Sequence, residues 1–132
     1  MKYLLDTDIC IELIRGRAAE LLQRLTSLEP GEAAISAISV AELQYGVTRS
    51  SQPDRNRQAL ELFLLPLDIL DFDFAAAARY GDVRAQLEAA GRPIGSYDML
   101  IAAHALSHDL TLVTRNVREF ERVAGLHIET WK

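Results

Sequence analysis

Cysteine, lysine and long apolar runs are what this 132-residue chain has least of. Cys10 is its only cysteine, which excludes an intrachain disulfide and a thiolate metal cage and suits a reducing compartment. No apolar run is long enough for a membrane span, and the opening Tyr3-Leu4-Leu5 is broken at once by Asp6 and Asp8, which defeats a signal-peptide reading. The expectation is a cytoplasmic protein that makes no use of a membrane. Lysine stands only at positions 2 and 132, against twelve arginines, and the 14 basic residues face 19 acidic ones for a net charge of −5. That balance excludes a protein that coats nucleic acid through bulk charge, because such binding is driven by Lys and Arg displacing counterions from phosphates. A local basic rim stays open. No linker, repeat or low-complexity tract is visible, and 49% hydrophobic with 25% charged residues is the composition of one globular domain over residues 1–132.

Strand and helix signals alternate along the chain. Residues 2–6 read as a buried strand ending in Asp-Thr-Asp, a turn and N-cap sequence. Apolar positions 9, 10, 13 and 14 recur at helical spacing before Gly16, and a second helix is predicted over 18–28. Ala33 to Ser36 reads as a short central strand, followed by a helix from about Val40 to Thr48 capped by Ser39. Pro53 fits the first turn of a helix reaching Leu64. A strand is predicted over 67–72, an alanine-rich helix over 74–90 closed by Gly91, and an apolar helix over 98–106. Strands at 110–114 and 127–130 flank a short helix at 117–123. Such alternation implies an α/β fold, a parallel sheet with helices on both faces.

In an open parallel sheet, ligands sit outside the carboxyl ends of the strands. Asp6 ends the first strand, Glu42 lies in the first turn after the second, and Glu119 follows the strand ending at Thr114. Asp98 opens a helix that leads into that same strand. Each acid also has a structural explanation. Ser39-Val40-Ala41-Glu42 and Asn116-Val117-Arg118-Glu119 fit capping boxes, Asp98 suits a helix N-terminus, and Asp6 could turn the chain. Jointly they are harder to dismiss, since four acids at one edge repel one another and are costly to desolvate without a cation. Hard oxygen ligands point to Mg²⁺, with Mn²⁺ as the alternative, rather than zinc. His104 and His108, four apart, could reach one metal, but no His-Glu-x-x-His pattern accompanies them.

At these residues the chain resembles the PIN-domain ribonucleases, and among them the VapC-type toxins of toxin–antitoxin pairs. The resemblance covers nearly the whole chain. Tyr3-Leu4-Leu5-Asp6-Thr7-Asp8 is similar to the family's first acidic motif, and Ile38 to Gly46, with Glu42, to the second. Pro93 to Ala105, with Asp98, is similar to the third and is the most specific stretch. Leu112 to Phe120 is similar to the fourth but departs from it, with Asn116 where many relatives have aspartate and Glu at 119 where many have Asp. The resemblance implies a three-layer α/β/α fold around a central parallel sheet of four to five strands. It further implies Mg²⁺-dependent endonucleolytic cleavage of RNA, tRNA among the candidates. Asp6 and Asp98 would hold the metal, with Glu42 and Glu119 acting through water or a second ion. Thr7 and Thr114 would orient ligands or contact phosphate, and Asn116, which brings no charge, would accept a hydrogen bond or orient water. A small antitoxin that pushes a basic side chain toward the acids is the implied partner, and a homodimer is expected.

Arg15, Arg115 and Arg118 lie nearest the carboxyl edge and are the candidates for RNA phosphate contacts, guanidinium pairing with phosphate in two-pronged geometry. The apolar stretches Leu43 to Val47 and Leu60 to Leu65 suit a partner groove or the core equally well. Two other readings compete. Asp6-Thr7-Asp8 also resembles the opening motif of haloacid-dehalogenase-type phosphatases, whose first Asp is a nucleophile, but those enzymes need a lysine at the phosphate site, and only Lys2 and Lys132 exist. The third reading is a non-catalytic module that keeps the fold and binds protein or RNA.

Overall fold

The computed structural model describes residues 1–131, and residue 132 lies outside the described part. Five strands, β1 (Tyr3–Leu5), β2 (Ala33–Ser36), β3 (Asp68–Leu70), β4 (Thr111–Val113) and β5 (Ile128–Glu129), form one sheet in the order β3-β2-β1-β4-β5. Every pairing is parallel, with Leu4 opposite Ala34 on one side and Leu112 on the other. β1 is therefore central, and the chain builds outward from it first through β2 and β3, then through β4 and β5. The crevice between the carboxyl ends of β1 and β4 is the point where the winding reverses, the usual place for a ligand in such sheets.

Seven helices connect the strands: α1 (Thr7–Ile14), α2 (Ala19–Thr26), α3 (Ala37–Thr48), α4 (Pro53–Leu64), α5 (Phe74–Ala89), α6 (Ser96–Ser107) and α7 (Val117–Phe120). Side chains alternate across a strand, so the short inner strands feed two cores. Tyr3, Leu5, Ile35 and Val113 pack with Ile9, Leu13, Leu21, Leu43 and Leu60 under α1 to α4. Leu4, Ala34 and Leu112 pack with Leu87, Ile101, Ala102 and Phe120 under α5 to α7. These layers are the expected α/β/α arrangement. None of the described helices is long and apolar enough to cross a membrane.

The starts of α1 and α3 differ from expectation through the backbone's need for caps. α1 begins at Thr7, because Asp6 is its N-cap and accepts the Thr7 N–H at 2.8 Å. α3 begins at Ala37 with Ser36 as its cap, accepting from Ile38 N–H at 3.0 Å. Ser39 lies inside the helix, so it makes no capping box with Glu42. Of the stretches read as core or groove, Leu43, Val47 and Leu60 are buried, whereas Leu62 and Leu65 of the α4 end are 68% and 78% exposed.

Leu4 is fully buried at the centre of the sheet. Leu4→Ala should therefore cost about 2–5 kcal/mol of stability by loss of burial and creation of a cavity, read as a lower urea midpoint. Leu62→Ala should stay within roughly 0.5 kcal/mol of the parent.

Candidate active site

Asp6 is the anchor of the site. It leaves β1 3% exposed, its Oδ1 accepting Thr7 N–H and its Oδ2 accepting the Thr114 hydroxyl, each at 2.8 Å. Thr114 follows β4, so this second bond spans the crevice where the winding reverses. Thr114 Oγ1 also accepts Asn116 N–H at 2.9 Å, which fixes the turn leading into α7.

Glu42 is reached through Thr7. The Thr7 hydroxyl lies 2.8 Å from Glu42 Oε1 and 2.8 Å from the Ser39 hydroxyl. Having one proton, it donates to the carboxylate and accepts from Ser39. Glu42 and Ser39 share one side of α3 at i, i+3 spacing, so buried Ser39 orients Thr7, and Thr7 orients Glu42.

Asp98 and Glu119 form the opposite wall. α6 begins at Ser96 after Gly95, two residues earlier than expected, which puts Asp98 inside its first turn, half-buried beside Glu119. Glu119 Oε1 accepts Gly95 N–H at 2.8 Å, and Oε2 accepts the Asn116 side-chain amide. Asn116 thus spends its amide on the carboxylate and makes no side-chain cap on α7. Gly95 is needed here for space. A Cβ at that position would stand 3.0 Å from Asp98 Oδ2 and 3.7 Å from Glu119 Oε1.

Asp6 and Asp98 are shifted by burial and by neighbouring acids. Burial pushes the Asp6 carboxyl up to about 6 against hydrogen bonds from Thr114 and Thr7 that pull it down, and repulsion from Asp8 and Glu42 adds to the rise. Asp98 is raised to about 7, by burial first, then by the charge of Glu119 and a carboxyl–carboxyl hydrogen bond with it, then by Asp6 and Glu42. Among the described residues no arginine, lysine or histidine forms an ion pair with any of the four. Nor do three Asp, Glu, His or Cys side chains converge into a ready-made cage there. Oxygen donors that do not close into a cage suit an ion that keeps several waters.

The remaining sequence candidates divide. Arg15 stands on the rim of a groove beside Thr7 and Glu42. Arg115 is exposed and 4.0 Å from Glu12, and Arg118 is exposed on α7. The histidine pair is not a ligand pair. His104 is fully buried with Nδ1 2.8 Å from Ser36 Oγ, and burial followed by the charge of His108 lowers its pKa. Ser36, Ser39 and Gly95 are the supporting residues that sequence reasoning missed. The Gly95-Ser96 pair before an acid-bearing helix was the available signal for one of them.

The chain matches the family described as PIN domain over residues 3–126. It is 45% identical to the tRNA(fMet)-specific endonuclease VapC of Shigella flexneri, over 99% of this chain and 98% of that protein. Identity with ribonuclease VapC2 of Haemophilus influenzae is 46% over the same shares. The fold matches a chain in the crystal structure of VapBC2 from Rickettsia felis bound to a promoter DNA fragment with a TM-score of 0.95, at 41% identity and 100% coverage of both chains.

Both raised carboxyls hold their proton more tightly in the folded chain than in the unfolded one. Their contribution to stability is complete below the ordinary value of 3.8 and is lost as pH rises through about 6 for Asp6 and about 7 for Asp98. In the presence of a chelator, Asp98→Asn should melt a few degrees above the parent at pH 8, with the gap closing toward pH 5 in a series of thermal melts. Gly95→Ala should leave the melting temperature nearly unchanged yet weaken divalent-cation binding several-fold by titration calorimetry, because the new Cβ displaces the Asp98 carboxylate.

Proposed function

Because the chain belongs to the PIN-domain family and within it to the VapC proteins, we propose that it is a metal-dependent endoribonuclease and the toxin of a toxin–antitoxin pair. Transfer RNA, named for the Shigella relative, is the substrate class to test first. One observation carries the reading: two buried or half-buried carboxyls are raised toward neutrality at one sheet edge, with no basic partner among the described residues. Charge held in that state is a standing cost, and a divalent cation offsets it. The donor set is all oxygen, which fits Mg²⁺ or Mn²⁺ and fits zinc poorly.

Asp6 and Asp98 would hold the ion, with Glu42 and Glu119 beside it. When bound, Mg²⁺ acidifies water and offsets charge gathering on the phosphate. The protein's own work is positional. Asp6 is clamped by the Thr7 N–H and the Thr114 hydroxyl, so it cannot swing away when its proton is lost. Thr7 engages only one oxygen of Glu42, which leaves the other to take a proton from the attacking water. The water oxygen bonds to phosphorus, the bond to the leaving ribose oxygen breaks, and solvent supplies that oxygen with a proton. Asn116 and Gly95 hold Glu119 against Asp98. Arg15, Arg115 and Arg118 serve the RNA phosphates; the exposed Arg115–Glu12 contact is weak enough to yield to them.

Neighbouring structures such as that from Rickettsia felis are VapBC complexes, which supports a cognate antitoxin as partner, and a basic side chain of that partner would find the acids uncompensated. Self-association of this chain would cover the exposed Leu62 and Leu65. The phosphatase reading has no support from the lysines. Lys2 lies at the amino end of β1 over the Tyr3 ring, 5.5 Å from its centroid, while Asp6 lies beyond the carboxyl end, and Lys132 is outside the described residues.

Purified protein should cut tRNA in Mg²⁺ and lose that activity in a chelator. Asp6→Asn and Asp98→Asn should each lower the single-turnover rate by roughly 100-fold or more, as removal of a preorganised charge-stabilising group does elsewhere. Equal rates for parent and variants would sink the nuclease reading, and release of phosphate from small phosphoesters would favour the phosphatase.

A further inference from the structure

A groove of about 600 Å³ runs between α1, α3 and α4 and reaches Glu42 of the site. Thr7, Asp8 and Glu42 line it together with Tyr45, Tyr97, Arg15 and Arg49. Tyr45 follows Glu42 by three residues on α3, and Tyr97 immediately precedes Asp98 on α6. Each tyrosine is thereby held within one helical turn of an acid of the site.

Folding does not account for these two rings. Tyr45 is 67% and Tyr97 57% exposed, and neither belongs to either core. The arginines beside them are similarly unspent. The Arg49 guanidinium lies 5.5 Å from the centroid of the Tyr45 ring, and among the described residues neither Arg15 nor Arg49 forms an ion pair. Six other arginines do.

We propose that Tyr45 and Tyr97 are a stacking platform for unpaired bases of the RNA substrate next to the cut, with Arg15 and Arg49 on the flanking phosphates. The proposal rests on the nuclease reading and adds a determinant of which RNA is cut. Aromatic faces bind bases of any sequence once these are unstacked, and cationic side chains alongside track the backbone. A paired stem hides its base faces, so such a platform selects loops and single strands. The groove also has an apolar floor at Leu43, Val47 and Leu60, which would accept the apolar side of a peptide. Two unpaired guanidiniums and two rings beside the carboxylates favour an anionic strand instead, and a peptide occupant is the rival outcome.

The test uses the full chain and a fluorescent unpaired oligoribonucleotide, with a paired stem of the same sequence as control. In a chelator, which separates binding from cutting, the parent should prefer the single strand. Tyr45→Leu and Tyr97→Leu should each weaken that binding by about tenfold, and Tyr45→Phe and Tyr97→Phe should restore it, since stacking needs the ring and not the hydroxyl. In Mg²⁺ the leucine variants should raise KM with kcat largely kept. Unchanged binding and KM in both leucine variants, with the parent still cutting RNA, would overturn the platform, assign the groove to a protein partner and leave the nuclease reading standing. A parent that cuts no RNA at all would instead remove the nuclease reading.

Discussion

The hydrogen bond from Thr114 to Asp6 joins the carboxyl ends of β1 and β4 across the crevice where the sheet reverses its winding. It is reinforced by the backbone, since Asp6 N–H donates to Val113 carbonyl at 2.9 Å. Much else hangs from this junction. Asp6 caps α1, Thr7 of α1 reaches Glu42 of α3, and Thr114 shapes the turn into α7 that delivers Glu119. A one-residue slip of register between β1 and β4 would put Leu4 and Leu112 on opposite faces of the sheet and would break the junction at the same time. Packing of both cores and assembly of the acids are therefore one constraint, imposed by three-residue strands too short to tolerate a shift.

The junction also explains why Asp6 is raised despite two good donors. Hydrogen bonds to a carboxylate favour its charged form, while burial opposes it, and here burial is the larger effect. Asp98 is less buried, yet it ends higher: burial raises it first, the charge of Glu119 adds to that, and it lacks donors like those from Thr114 and Thr7 that pull Asp6 down. The fold keeps charge where its own stability argues against charge. Sites of that kind are where function is purchased with stability, and the absence of any basic partner among the described residues separates this cluster from an ordinary network of surface salt bridges.

Most of the sheet could be read from the sequence because each inner strand is a short apolar run followed by a cap or turn residue. Asp6 and Asp98 were legible for the same reason, each sitting at a handover between a strand or loop and a helix. Connections through space were not. Thr7 and Glu42 are 35 residues apart, and Ser39 reads locally as a cap until Ser36 is seen to occupy that role. Asn116 and Glu119 have the spacing of a capping box, but their side chains bond to each other and Glu119 reaches across to Gly95. His104 and His108 have ligand spacing, but burial against Ser36 commits one of them to the fold. Local patterns list what a residue could do, and the tertiary partner decides which option is used.

The distribution of charge follows from the same division. Four of the 19 acidic residues sit together at the crevice, and without them the chain is nearly neutral, so its net charge is largely the signature of one site. A polyanion approaching that crevice would be repelled by it unless a cation were bound and the approach were lined with positive charge. Arginine suits that lining better than lysine, because its flat, weakly hydrated guanidinium can pair with phosphate and stack on an aromatic ring at once. Arg49 over Tyr45 already shows the second of these contacts. A chain that uses arginine almost to the exclusion of lysine thus keeps its positive charge in the form that serves rings and phosphates together, and Arg15 and Arg49 bring it to the groove that Glu42 lines.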